Sequence, residues 1–243
     1  MESGADAEVE VEVEVEAEVE VKDAMVHDWR IAPREVARHE SRRGRRHAYE
    51  QLDPQRTALV VVDMVAFFVV ENPYCRGIVP NINRIAGALR VGGGTVAWVL
   101  PASSPEPTAW AREFYGSRTA TTYAGSGGDV PLRERLWPQI DGRDGDVWAE
   151  KSAASAFFPG RSTLPVHLAD RNIDTVLVAG TVTNVCCEST ARDAATLGYR
   201  VILVADATAA VDDRTHNATL HTVYRSFGDV RPADEVLTLI ASR

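Results

Sequence analysis

From Thr57 onward the chain alternates short apolar runs with helical stretches, and this alternation constrains the fold more than any other feature. The runs "TALVVVDM", "TVAWVL", "DTVLVAG" and "YRVILVADATAA" are mostly apolar, the first of them β-branched, and "DVWAEKS" reads as a further strand. Runs of that kind suit strands covered on both faces. Between and after them lie "VPNINRIAGALRVGGG", with Pro80 in its first turn and glycines at its end, and "STLPVHLADRNI". "NVCCESTARDAATLG", closed by Gly198, "DRTHNATLHTVYRSFG" and "ADEVLTLIAS" complete the helices. Proline at the start and glycine at the stop are helix punctuation. Strand and helix in this rhythm predict an α/β fold, a doubly wound, mostly parallel sheet with helices on both faces. Ligands of such sheets sit beyond the carboxyl ends of the strands, so the residues there are the ones to inspect.

At 243 residues there is room for one generous α/β unit. The net charge of −9 is misleading until it is located. Residues 1–23 hold ten acids and one base, and the remaining chain holds 25 of each sign. The acidity therefore belongs to the Glu/Val-alternating tail, residues 1–26, and carries no information about a substrate. A row of like charges opposes a strand there, so the tail is predicted to be disordered and extended. Residues 27–56 form a basic arm with Arg30, Arg34, Arg38, Arg42, Arg43, Arg45 and Arg46. No aromatic interleaving or nucleic-acid motif accompanies it, so it is read as solvated or as packing on a neighbouring subunit, not as a nucleic-acid contact. The folded unit is assigned to residues 57–243. No run of 18 apolar residues could span a membrane, and the start, "MESGADAEVE", lacks the features of a signal peptide. A cytoplasmic protein is expected. Residues 101–146, rich in Pro, Gly, Ser and Thr, read as a long loop with short helical pieces, and loops of that length are usually functional.

Three of the predicted strand ends carry reactive groups. Asp63 follows "LVVV", Lys151 ends "DVWAE", and Cys186 follows "VLVAG" by a short turn at the start of a helix. An aspartate after a strand often only caps a turn, and a lysine there is often solvated. In a parallel sheet, however, all three face one rim. Their chemistry is compatible: a helix N-terminus and a nearby ammonium would depress the thiol pKa. Asp63 could accept the thiol proton and return it to a leaving nitrogen. Backbone N–H groups of the turn could hold an oxyanion. The adjacent pair Cys186 and Cys187 cannot readily bridge each other, and no spaced Cys/His set offers a zinc site. On a helix Cys187 shares a face with Ala191, Ala194 and Gly198, a small-residue stripe suited to packing on the sheet, whereas Cys186 lies about 100° away with Thr190 and Asp193. Cys75, in "NPYCRG", is read as a loop or packing residue.

These residues resemble the isochorismatase-like cysteine hydrolases, which include nicotinamidases, N-carbamoylsarcosine amidohydrolases and ureidoacrylate amidohydrolases. The resemblance runs over about residues 57–242. "GTVTNVCCESTARDA" is similar to that family's G-x-x-T-x-x-C-V-x-x-T-x-x-D-A, with Cys187 in the valine's place. "ALVVVDMVAFF" resembles its aspartate strand, with Phe68 as the following aromatic, and "EKSAASAFFPGRSTL" its lysine segment. The resemblance implies a Rossmann-like three-layer sandwich and Asp63, Lys151 and Cys186 as a catalytic triad. It also implies a cis peptide at Thr181–Val182 that turns the amides of Val182 and Cys186 toward a substrate carbonyl. A homodimer or homotetramer is expected on the same ground.

Two departures bear on the reaction. True isochorismatases generally lack the cysteine, so Cys186 favours amide-type C–N hydrolysis over vinyl-ether cleavage. The segment "LPASSPEPTAW" lacks the D-x-H motif of many nicotinamidases, so no metal and no other cofactor is expected. The expected substrate is a small molecule bearing an amide, N-carbamoyl or lactam group, the lactam of a streptothricin-like antibiotic being one possibility. The alternatives are a vinyl-ether hydrolase and a non-catalytic binding member of the same fold. Phe68, Trp110, Tyr123 and Phe157 are candidate substrate contacts, with Tyr115 and Phe158 beside them and Thr181 at the turn. Arg214 and His216 open a helix that could reach the rim or a subunit interface, with a solvated role as the alternative.

Overall fold

The computed structural model describes residues 24–104 and 106–242. The acidic tail up to residue 23 lies outside the described residues. Six strands form one parallel sheet: β1 (Thr57–Val62), β2 (Thr95–Pro101), β3 (Val147–Lys151), β4 (Thr175–Thr181), β5 (Arg200–Ala209) and β6 (Asp229–Arg231). Their spatial order is β3-β2-β1-β4-β5-β6, so the winding reverses between β1 and β4. Among the described residues, ten helices surround the sheet: α1 (Pro33–Arg43), α2 (Ala66–Val69), α3 (Pro73–Gly77), α4 (Val79–Val91), α5 (Ala109–Tyr115), α6 (Ser117–Ala124), α7 (Leu164–Asp170), α8 (Glu188–Thr196), α9 (Asp213–Ser226) and α10 (Ala233–Ala241).

The strand pleat sorts the core into two layers. Leu59 and Val61 of β1, Trp98 and Leu100 of β2, and Ile202 and Val204 of β5 pack on one face, against α4 and α10 through Ile82, Ile85, Leu89, Val236 and Ile240. Ala58, Val60 and Val62, with Ala97, Val99, Val176 and Val178, face the other way. There they meet α7, α8 and α9 through Leu164, Leu168, Ala191, Ala194, Leu220 and Val223. Every residue of β1 and of β4 is buried, as continuous apolar runs require. The expected doubly wound fold is the observed one.

Two elements carry no apolar pattern and were not anticipated. β6 is three residues long, and its buried Asp229 and Arg231 are partnered by the arm and, for Arg231, also by Glu235. The amides of Ala48 and Tyr49 donate to the Asp229 carboxylate, and Arg231 donates to the Tyr49 carbonyl. The basic arm thus packs on its own chain, where the sequence suggested solvent or a neighbouring subunit. Its helix α1 lies on α9, with His39 bonded to the Tyr224 carbonyl and Arg225 paired with Glu35 at 2.9 Å. Chain from Met25 is already docked, since the Met25 amide donates to the Pro73 carbonyl. No helix of the described residues is long and apolar enough to cross a membrane.

Candidate active site

The register of the sheet assembles the site. Val62 pairs with Gly180 across the β1–β4 switch, which sets Asp63 beside Thr181 at the carboxyl rim. Asp63 ends its strand with a left-handed backbone, φ 57°, while its amide still donates to the Val99 carbonyl. Aspartate is one of the few side-chain-bearing residues that enter this region readily. On β2, Val62 pairs with Val99, and Pro101 pairs with Lys151 of β3. Lys151 therefore stands two strands away from β1, about 10 Å at the usual strand spacing, a span that its long side chain closes.

Gly180 makes the close approach possible. Its φ is 105°, and a Cβ there would lie 2.1 Å from the Val62 carbonyl oxygen. Only glycine lets β4 turn so near β1. The Thr181–Val182 peptide is cis, as the resemblance implied. Beyond it the expected regular helix start is replaced by one π turn, Thr183–Cys187, from which α8 continues. Thr183, Cys186 and Cys187 point inward from this turn, while Asn184 and Val185 are exposed.

Lys151 is the hub. Its Nζ lies 2.7 Å from Asp63 Oδ2 and 3.4 Å from Cys186 Sγ, and donates to the Ala153 carbonyl at 3.1 Å. All three side chains are buried. Burial pushes the Asp63 carboxyl up from its ordinary range, against the pull of the Lys151 ammonium. Burial by itself would lower Lys151, but the Asp63 carboxylate and the hydrogen bond to Cys186 hold it up, so it stays an ammonium. The Cys186 thiol is pushed up to about 12, first by burial and then by the Asp63 carboxylate, with Lys151 pulling the other way. This corrects the expectation of a depressed thiol. A neighbouring carboxylate and the loss of water outweigh the ammonium, so the resting residue is a thiol beside a base.

Cys187 is turned to the opposite side. It is fully buried with Ala191 and Ala194 under the sheet, its Sγ 3.9 Å from the Ala179 carbonyl, as the helical spacing predicted. Burial drives its pKa well up. Thr190, on the Cys186 side of the helix, accepts a hydrogen bond from the Ala156 amide and so ties α8 to the segment after Lys151. Cys75 is buried and donates to Thr181 Oγ1 at 3.2 Å.

The candidate substrate contacts separate into two groups. The Phe157 ring is only 2% exposed and packs in the core near Tyr199, so it is no pocket wall. The Thr181 side chain is equally buried, held by Cys75 and the Ala209 carbonyl, which leaves only its backbone at the rim. Phe68 is half-buried and meets Phe67, Phe67 meets Tyr123, and Tyr123 meets Tyr115. Trp110 stacks on Phe114, and both contact Tyr115. These rings form one partly exposed aromatic run from the Asp63 loop over α5 and α6. The long loop is anchored at its far end by the Trp137 amide, which donates to the Met64 carbonyl. Phe158 and Arg214 are exposed. His216 is fully buried, not solvated, and its Nδ1 is bonded to the Thr183 hydroxyl. Sequence reasoning missed this link because the π turn has no periodicity of its own.

The chain is similar to known proteins over most of the region from β1 onward. The isochorismatase domain profile matches residues 57–235. An uncharacterized isochorismatase family protein of Bacillus subtilis is 32% identical over 187 residues, which cover 76% of this chain and 95% of that protein. The N-carbamoylsarcosine amidase of an Arthrobacter species is 30% identical over 202 residues, covering 75% and 70% of the two chains. The crystal structure of a cysteine hydrolase from Pseudomonas syringae pv. phaseolicola superposes with a TM-score of 0.71 at 28% identity, covering 81% of this chain and 97% of the other.

Proposed function

The chain belongs to the isochorismatase family of hydrolases, and from that premise we propose that it cleaves an amide-type C–N bond of a small molecule through a thioester on Cys186. The observation that carries this reading is the lysine shared between carboxylate and thiol, 2.7 Å from one and 3.4 Å from the other. In the proposed cycle Asp63 takes the Cys186 proton as Sγ attacks the substrate carbonyl. The amides of Val182 and Cys186 receive the developing oxyanion, a contribution of roughly 3–4 kcal/mol per donor in comparable sites. The C–N bond then breaks as Asp63 returns the proton to the leaving nitrogen. Water, deprotonated by Asp63, releases the acid and restores the thiol. Lys151 remains charged throughout and orients both partners.

A thiol held near 12 is well suited to this order of events. It is not a standing thiolate, so attack and proton transfer are coupled, and a base with a raised pKa is the better partner for that transfer. The similarity to an N-carbamoylsarcosine amidase favours the carbon–nitrogen bond as the scissile one. The half-buried Phe68 and the exposed rings of Trp110 and Tyr123 are the proposed substrate contacts. The test is a panel of N-carbamoyl amino acids, ureido acids, nicotinamide, simple lactams and isochorismate, assayed with the wild type and with Cys186→Ala. Turnover of an amide-type compound is expected, falling by at least about 10³ in the variant. Turnover of isochorismate alone, or an undiminished variant, would overturn the reading.

A further inference from the structure

The family domain begins at residue 57, yet the chain ahead of it reaches the nucleophile turn. His27 is 6% exposed, and its ring lies flat between two others. Its centroid is 3.9 Å from that of Tyr74 on α3 and 4.1 Å from that of His216 on α9, with interplanar angles of 5° and 11°. Both ring nitrogens are held, Nδ1 at 2.7 Å from Asp213 Oδ1 and Nε2 by the Ala210 amide at 3.1 Å. Backbone bonds on either side fix the segment: Met25 donates to Pro73, Arg30 donates to the Asn217 side chain, and Asn217 donates to the Asp28 carbonyl. His216, pressed from one side by His27, bonds Thr183 through Nδ1 at 3.0 Å. Thr183 opens the π turn that carries Cys186.

We propose that the segment before the family domain braces the nucleophile turn, with His27 as a positioning residue that acts through His216 on Thr183. His27 touches none of the reacting groups. It fills the space behind His216, so the imidazole cannot withdraw from Thr183 and the first residue of the turn cannot drift. Burial lowers the His216 pKa to about 3, so this ring stays neutral and keeps its uncharged hydrogen bond to Thr183. A turn so held keeps Sγ beside Lys151 and away from water, and small misplacements of a reacting group are costly to rate. The functional meaning of the brace rests on Cys186 being the nucleophile; the brace itself is measurable without any substrate.

The experiment is capture of the folded, full-length protein by iodoacetamide, with the adducts on Cys186 and Cys187 counted separately by peptide mass spectrometry. Global unfolding exposes both thiols alike, whereas a loosened turn exposes Cys186 selectively. His27→Ala is expected to speed capture at Cys186 about fivefold while Cys187 stays at its wild-type rate, and His27→Phe, which keeps a ring in the stack, to remain within about twofold of wild type. Thr183→Val is expected to reproduce the selective gain. Its combination with His27→Ala should add nothing further, because both substitutions cut one chain of contacts. An unchanged Cys186 rate in His27→Ala, equal gains at both cysteines, or multiplying effects in the double variant would each overturn the brace. Undiminished hydrolysis by Cys186→Ala would instead overturn the proposed nucleophile and leave these capture rates standing as measured.

Discussion

Cys186 and Cys187 are neighbours in sequence and strangers in environment. Both are buried, and burial raises the pKa of both, Cys186 to about 12 and Cys187 well above its ordinary value. What separates them is what each sulfur faces. Cys186 meets an ammonium that is itself bound to a carboxylate, at the rim where the winding of the sheet reverses. Cys187 meets a backbone carbonyl and the small side chains of α8. In the proposed mechanism, reactivity in this pair therefore belongs to an assembled proton acceptor and not to a thiol made acidic in advance. Desolvation disfavours both thiolates, and only Cys186 stands beside a lysine–carboxylate pair that the proposed mechanism can use as a proton acceptor.

The largest effect should come from removing that base. Asp63→Asn keeps the shape of the rim but cannot take the proton and leaves the buried Lys151 without its counter-charge, so kcat is expected to fall about 10³-fold in a protein that still folds but melts at a lower temperature. A smaller loss would mean that Cys186 is not distinguished from Cys187 by Asp63. Gly180→Ala attacks the frame that holds the two environments apart. Its Cβ would collide with the Val62 carbonyl, and urea unfolding should show a loss of about 3 kcal/mol or more together with lost activity. A wild-type unfolding midpoint would contradict the register argument.

The pH profile sharpens the comparison further. Asp63 must be ionised to act as the base, and its pKa is raised, so kcat/KM should rise with pH through an acid limb lying above the ordinary aspartate range. Alkylation of Cys186 should keep climbing beyond pH 10 instead of levelling near neutrality, because burial and the Asp63 carboxylate push the thiol up to about 12. A plateau near pH 7 would contradict a thiol held that high. The smallest effect is expected at the packing cysteine. Cys187→Ala should cost about 1 kcal/mol of stability through its small cavity and leave kcat within about twofold.

The strand residues, the two-sided core and the three rim groups were legible in the sequence because each follows from a period or an end. β1 and β4 are unbroken apolar runs, and the register that joins them brings Asp63 and Cys186 to one place. The thiol pKa was not legible, since its sign depends on how deeply three groups are desolvated together. α1 was missed because the side chains it buries include Glu35 and His39, which a hydrophobic pattern does not mark. β6 was missed for the same reason, its ends being Asp229 and Arg231. Phe157 and Phe158 look alike in sequence, yet one is core and the other is 51% exposed, because an irregular segment has no repeat from which to read a face.

The most direct measurement is intact-protein mass spectrometry of the enzyme quenched during turnover of an amide-type substrate, followed by mapping of the acylated peptide. A mass gain equal to the acyl group, located on Cys186 and absent from Cys187, is the predicted result. An adduct on Cys187, or steady turnover with no acyl-protein at any quench time in the wild type and in slowed variants, would contradict the account.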